Sequence, residues 1–317
     1  MKPFVLLLTL LIGLYTAAAA EIPASGAKEA PTVRLLTVGN SFSGNATKYL
    51  ADLATAGGRQ LIHRSASVGG ASLELHATKA QTHERDPADK AGLYTAGMSL
   101  TTLLRADRWD YVTIQQASIK SHDLATYRPF AERLRDIIRT HAPQAELLMH
   151  QTWAYRRDDP RFTKPSGTPG EPVTQEAMYR GLSAAYRTIA GELGARVIPV
   201  GDAFSIADTD PQRGYRPDAH FDFKTAKPPA LPDQTHSLHL GWRWQKQKDG
   251  ALKLAMDGHH ANTAGEYLGA CVWYEVLFGA SVVGNSYTPP GLDPAFARYL
   301  QETARRAVTD SGRPPPL

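Results

Sequence analysis

The chain has 317 residues, of which 42% are hydrophobic and 21% charged, and its formal net charge is +4. That is ample for one hydrophobic core, and one domain with insertions fits better than two. The charge is mild and dispersed, with no Lys/Arg block, so no nucleic-acid partner is expected.

Residues 1–20 stand apart. Met1-Lys2 is a short basic start, Phe4 to Leu14 is an apolar run too short to span a bilayer comfortably, and Ala18-Ala19-Ala20 supplies small residues. This reads as a secretory signal peptide cleaved between Ala20 and Glu21, placing the mature protein in a bacterial periplasm or outside the cell. No cysteine lies near that point, so no stable membrane anchor is expected. The single cysteine, Cys271, sits in the apolar stretch Leu268 to Trp273 and reads as a small buried hydrophobe. With one thiol there is no internal disulfide, so the core alone must hold an exported chain together.

Residues 21–31 form a loose lead-in. Val33 to Val38 is a buried strand that ends at Gly39, followed by Asn40-Ser41 and then a helical pattern through Tyr49, Leu50, Leu53 and Ala54. Strand, glycine, polar pair, helix is how α/β enzymes present a nucleophile at the carboxyl end of a strand. A serine there also serves as a helix cap, and locally both readings stand. Gly57-Gly58 ends that helix. A second strand, Gln60 to Ser67, runs into Val68-Gly69-Gly70, either a tight turn or a bare backbone that donates an N–H to a ligand. Leu73 to Leu104 is helical in pieces, broken at Thr82 to Lys90. Trp109 to Gln115 is the third strand, and its two amides, Gln115 and Gln116, either solvate a loop or face the site.

Leu124 to His141 is an amphipathic helix stopped by Pro143. Glu146 to Thr152 is the fourth strand, followed by Trp153-Ala154-Tyr155 and a polar loop from Arg156 to Pro172. A helix from Val173 to Leu193 and a fifth strand, Arg196 to Val200, complete the rhythm. That alternation predicts an α/β class: a three-layer α/β/α sandwich around a parallel five-stranded sheet. Residues 208–256 break it with an inserted loop and then a β-hairpin, whose alternating stretch Thr235 to Trp244 pairs with Ala251 to Met256. Asp257-Gly258-His259-His260 follows as a loop, Asn262 caps a helix from Thr263 to Phe278, and a last helix spans Pro294 to Val308. The folded domain is expected over 32–309, with a disordered proline-rich tail at 310–317.

Asp257 can fold back onto the His260 imidazole, fixing its tautomer and leaving Nε2 free as a base. Ser41, Asp257 and His260 then supply nucleophile, orienter and base. These blocks resemble the SGNH (GDSL-type) serine hydrolases: Gly39-Asn40-Ser41 matches their opening block, Gly69-Gly70 their glycine block and Asp257-Gly258-His259-His260 their closing Asp-x-x-His block. The resemblance covers about residues 32–280 and looks like a bacterial branch near the carbohydrate acetylesterases. It implies a flavodoxin-like fold, catalytic Ser41, Asp257 and His260, an oxyanion hole from the Ser41 and Gly70 N–H groups, and no cofactor or metal. Where the family carries an asparagine as third donor this chain has Gln115-Gln116, so the third donor is one of those amides. His259 competes with His260 as base, and the family spacing favours His260. Ser43 reads as a cap.

Flat aromatics suit sugar rings, so Trp153, Tyr155 and Trp242, with His259, are candidate substrate contacts. The expected partner is a small-molecule or glycan ester. The rivals are a lipase, thioesterase or arylesterase on the same scaffold, a metal-dependent protein using His236, His239, Asp257, His259 and His260, and a glycan-binding protein without turnover.

Overall fold

The computed structural model describes residue 1 and residues 30–95, 97–165 and 170–311. The signal peptide, its cleavage point, nearly all of the lead-in and the end of the tail lie outside the described residues. The described residues from Pro31 onward form one compact unit.

The strand β1 (Thr32–Gly39) leads into α1 (Ser41–Thr47) and α2 (Leu50–Ala56), then β2 (Gln60–Ser67), α3 (Leu73–Arg85), α4 (Leu100–Arg105) and β3 (Tyr111–Ile114). Next come α5 (Phe130–His141), β4 (Glu146–His150), α6 (Gln175–Leu193), β5 (Arg196–Ile198) and α7 (Val200–Thr209). The hairpin β6 (His239–Lys246) and β7 (Leu252–Ala261) precedes α8 (Thr263–Phe278) and α9 (Pro294–Asp310). The parallel sheet has the order β2-β1-β3-β4-β5, with β6-β7 as a separate antiparallel pair. Helices α1, α2, α7, α8 and α9 pack together on one side, and α3 to α6 on the other. This is the expected three-layer α/β/α sandwich.

Strand register places the site. Gly39 sits opposite Ser67, Val38 opposite Ile114, Ile114 opposite Met149, and His150 opposite Ile198. The strands therefore stop at one carboxyl edge, and the turns after β1, β2 and β3 emerge side by side. In this strand order the chain reverses direction between β1 and β3, where open α/β sheets bind ligands.

Helix α8 is buried almost throughout, so it carries apolar residues all round. Cys271 is fully buried there, and burial pushes its thiol upward, as expected of an inert core residue. The two acids of α8 are each met by a cation: Glu266 by Lys48 at 2.6 Å and Glu275 by Arg305 at 2.7 Å. A Cβ on Gly269 would come within 2.9 Å of the Ala46 backbone, so glycine lets α1 lie directly on α8.

The elements differ from expectation most at four places. The fifth strand stops at Ile198, and Val200 opens α7, an unexpected helix with Val200, Ala203, Phe204 and Ala207 buried at helical spacing. The helix after Ser41 is split at Lys48-Tyr49. Pro129 separates a short 3₁₀ turn, Leu124–Tyr127, from α5, because proline supplies no N–H to continue a helix. Asp257 to His260 lie within β7 rather than in a loop after it.

Candidate active site

Asn40 is the N-cap of α1: its Oδ1 accepts from Phe42 N at 2.9 Å, leaving Ser41 as the first helical residue. Ser41 is thus not the cap, and its own N–H has no intrahelical acceptor. Across the cleft, Ser41 Oγ lies 2.9 Å from His260 Nε2, and His260 Nδ1 lies 3.1 Å from Asp257 Oδ2. Serine, imidazole and carboxylate therefore form a continuous relay across 219 residues of sequence.

Asp257 is the hub of the second side. Its Oδ1 accepts from the His260 backbone N–H at 3.1 Å and sits 3.2 Å from His259 Nδ1, while Arg243 Nη2 approaches Oδ2 at 3.4 Å. Burial works against its charge. The His260 side-chain and backbone hydrogen bonds and the two neighbouring imidazoles outweigh burial and hold the carboxyl well below the usual carboxylate range. It is ionised near neutrality, so it accepts from the imidazole N–H and orients it. His259 shares the carboxylate but faces Tyr155, with ring centres 5.6 Å apart, and burial lowers its pKa. Of the two histidines, His260 is the one that reaches the serine.

The glycine turn takes the expected place. Gly70 has φ +68°, a left-handed conformation that glycine adopts without strain. Its N–H has no acceptor among the described residues, and it lines the same cavity as Ser41. Asn40 Nδ2 donates to Ala71 O at 2.9 Å and so ties this turn to the serine turn.

The glutamines do not point where they were expected. Gln115 Nε2 donates to Asn40 Oδ1 at 2.7 Å and to Gln116 O at 3.5 Å; its Oε1 accepts from Ser43 Oγ and from His150 Nδ1, at 3.1 Å. Gln116 Nε2 donates to Thr126 O and Oγ1 at 2.8 and 3.1 Å, while its Oε1 accepts from Leu73 N and Ala117 N. Both N–H bonds of each amide are engaged, so neither glutamine has a donor left for an oxyanion. They brace the turns that carry Ser41 and Gly70. Ser43 belongs to this buried web and is not a cap. A Cβ on Gly39 would run into Ser43 Oγ and come within 2.8 Å of Gln115 Oε1, which explains the glycine before Asn40-Ser41.

Two aromatic expectations are also corrected. Trp153 is fully buried, stacked on Phe204 at 4.5 Å and in tilted contact with Phe42 at 4.4 Å, and its Nε1 donates to His259 O at 2.9 Å. It is a core residue that fastens β7 to the body. Trp242 packs on Phe223 at 4.7 Å, its Nε1 reaches Asp158 at 3.3 Å, and it lies outside the cavity. Tyr155 and His259 do line the cavity, which has a volume of about 210 Å³. Its other walls include Asn40, Phe42, Ser118, Ile119 and Arg161. Asn40 was legible only as part of a block. Ser118 and Arg161 carry no local signal, because loops bring them in.

Among the described residues, Asp257, His259 and His260 are the only group whose ligand atoms lie close enough to hold a metal, within 4.8 Å of one another. The same atoms form the relay. His239 is buried, with Nε2 donating to Ala154 O at 3.1 Å, and His236 packs on Phe296, so neither joins that group.

The chain matches the family described as "Domain of unknown function (DUF4886)" over residues 34–215, more than half its length, and it belongs to that family. Among solved structures, a DUF4886 family protein from Bacteroides uniformis ATCC 8492 is 28% identical with a TM-score of 0.66, covering 88% of this chain and 95% of that one. A putative GDSL-like lipase from Parabacteroides merdae ATCC 43184 aligns at 13% identity and TM-score 0.44, covering 79% of this chain and 98% of that chain. A possible lipase from Chitinophaga pinensis DSM 2588 aligns at 13% and 0.42, covering 78% and 98%. No curated protein matches the chain.

Proposed function

We propose that the protein is an exported serine esterase of SGNH type that removes short acyl groups, acetyl foremost, from a carbohydrate. The observation that carries this reading is the relay from Ser41 Oγ to His260 Nε2, 2.9 Å, and from His260 Nδ1 to Asp257 Oδ2, 3.1 Å. A hydroxyl with a base in hydrogen-bond reach, and a base held by an ionised carboxylate, is the requirement for a serine nucleophile.

In the proposed reaction Ser41 Oγ attacks the ester carbonyl carbon and its proton passes to His260 Nε2. The Ser41 and Gly70 N–H groups receive the oxyanion. Collapse breaks the acyl–oxygen bond, and His260 returns the proton to the leaving alcohol. Water then attacks the acyl-enzyme, losing its proton to His260, and the acid departs as Ser41 is reprotonated. Asp257 keeps the Nδ1–H tautomer throughout.

The cavity supports a short acyl group. Its 210 Å³ falls below the roughly 300–1,000 Å³ of pockets that enclose drug-sized ligands. Ser118, Tyr155, Arg161 and the two imidazoles set polar groups beside Phe42, Ala117 and Ile119 in its wall. Export follows from the leader at residues 1–20. The test is acetate release from acetylated glycans and 4-nitrophenyl acetate by the wild type and Ser41→Ala. The variant is expected to lose on the order of 10⁴-fold or more in kcat, and undiminished turnover would sink the reading.

A further inference from the structure

The cavity beside Ser41 is lined by a cation, Arg161, that forms no ion pair among the described residues. Arg161 leaves the 3₁₀ turn Pro160–Phe162 and lines the cavity together with Ser41, Gly70, Tyr155, His259 and His260. Its guanidinium lies over the Tyr155 ring, 5.1 Å from the ring centre, and Nη1 donates to Tyr155 Oη at 3.0 Å. Tyr155 is itself buried, and its Oη sits 3.0 Å from Ser118 Oγ. The arginine is therefore held from one side by a rigid aromatic.

Among the described residues no carboxylate pairs with Arg161, and its Nε and Nη2 meet no acceptor. Arg156, Arg187, Arg196, Arg243 and Arg305 each reach an Asp or Glu. The acid nearest in sequence, Asp159, is buried and accepts from the Arg161 backbone N–H at 2.9 Å, so it shapes the turn and leaves the guanidinium unpaired. No lining residue of the cavity is acidic. A fixed cation at the mouth of a cleft with no acidic wall draws in anions. A guanidinium edge with two free donors matches a carboxylate or phosphate through two parallel N–H bonds. Because Tyr155 already orders the side chain, little of its freedom remains to be lost on binding.

We propose that Arg161 forms an anion subsite next to the nucleophile, so that the substrate is an acylated acidic sugar whose uronate carboxylate or phosphate sits close to the ester. This rests on the esterase reading above. The oxyanion orients the sugar and Ser41 acts on a neighbouring acyl group.

The test measures kcat/KM for acetate release from three fully O-acetylated probes: methyl glucuronoside as free acid, its neutral carboxamide, and methyl glucoside 6-phosphate. The wild type is expected to prefer at least one anionic probe over the carboxamide by about tenfold or more, and a preference for carboxylate or for phosphate identifies the source. The preference should shrink as salt is raised. It should fall toward one in Arg161→Gln and be partly kept in Arg161→Lys. Equal turnover of all three probes by the wild type, or a preference that survives in Arg161→Gln, overturns the subsite and leaves the esterase standing. No acetate from any probe or from 4-nitrophenyl acetate overturns both.

Discussion

The two sides of the cleft are built on different principles. The serine side grows out of a parallel sheet. Gly39 is paired with Ser67 on one flank, Val38 with Ile114 on the other, and the turn beyond is pinned by Asn40, Ser43, Gln115 and His150, all nearly or wholly buried. His76 adds a bond from Nε2 to Gly39 O at 3.1 Å. The histidine side is a two-stranded ribbon, β6–β7, with exposed Leu240 and Leu252. A ribbon of two strands has little stability of its own. It is joined to the body by Trp153 on His259 O, by His239 on Ala154 O and by Arg156, whose side chain is fully buried. Its backbone N–H donates to Gly258 O at 2.7 Å, its guanidinium pairs with Asp158 at 2.7 Å and reaches Gln234 and Ser237, and it lies over the Tyr215 ring at 4.3 Å. Sheet register secures Ser41, whereas separate hydrogen bonds from Trp153, His239 and Arg156 secure the ribbon that carries His260.

That contrast can be broken in order of expected effect. Asp257→Asn keeps the shape of the relay but removes the charge that holds the Nδ1–H tautomer, so kcat should fall by about 10³–10⁴-fold with little change in fold. A fall under tenfold in steady-state kinetics would show that the ribbon's carboxylate is not the orienter.

Arg156→Met leaves Asp158 without its cation and loosens the ribbon. Breaking one partner of a buried pair costs about 3–5 kcal/mol. Hydrogen exchange should rise across residues 239–261 well before it rises in β1, while a uniform rise would abolish the distinction between the two sides.

Ser43→Ala on the serine side removes one donor to Gln115 Oε1, which His150 still serves. The expected loss is about 0.5–1.5 kcal/mol in denaturant unfolding, and the turnover defect should be far smaller than that of Asp257→Asn. An equal defect would place Ser43 in the chemistry.

The last test is a pH slope. Burial lowers His76 from its ordinary 6.5 to about 4, and His150 and His239 to about 3. Below pH 6.5 the unfolded chain takes up protons that these folded imidazoles refuse, so stability is complete above 6.5 and is lost as pH falls toward 4 and 3. Each histidine adds about 1.4 kcal/mol per pH unit in that window. Replacing His239 by Asn should flatten the acid limb of a melting-temperature profile, and an unchanged slope would contradict its burial as a neutral group.

Much of this arrangement was legible as local pattern. Strand periodicity followed by Gly39-Asn40-Ser41 located the serine turn, and the spacing of Asp257 and His260 lets one side chain reach back to the other. The helix α7 was missed because the apolar Ile198-Pro199-Val200 reads as a continuing strand, although its helical spacing was present. The two glutamines were placed at the right strand end and aimed in the wrong direction. An amide at the end of β3 has several partners within reach, and Asn40 and Thr126, from other parts of the chain, decide between them. Trp153 was read as a sugar platform because composition shows an aromatic but not which side of the backbone it faces.

The chain alone therefore determined the class of fold, through strand and helix periodicity set by near neighbours, while the three relay residues and the glycine turn were named from the resemblance of their blocks to a known family. Only the tertiary structure decided that Ser41 faces His260, that both glutamine amides are consumed inside the wall, that Arg156 helps clamp the ribbon and that Arg161, beside Ser41, pairs with no carboxylate among the described residues. Those facts are set by which groups satisfy one another's hydrogen bonds and charges across distant segments, and no local spacing encodes them.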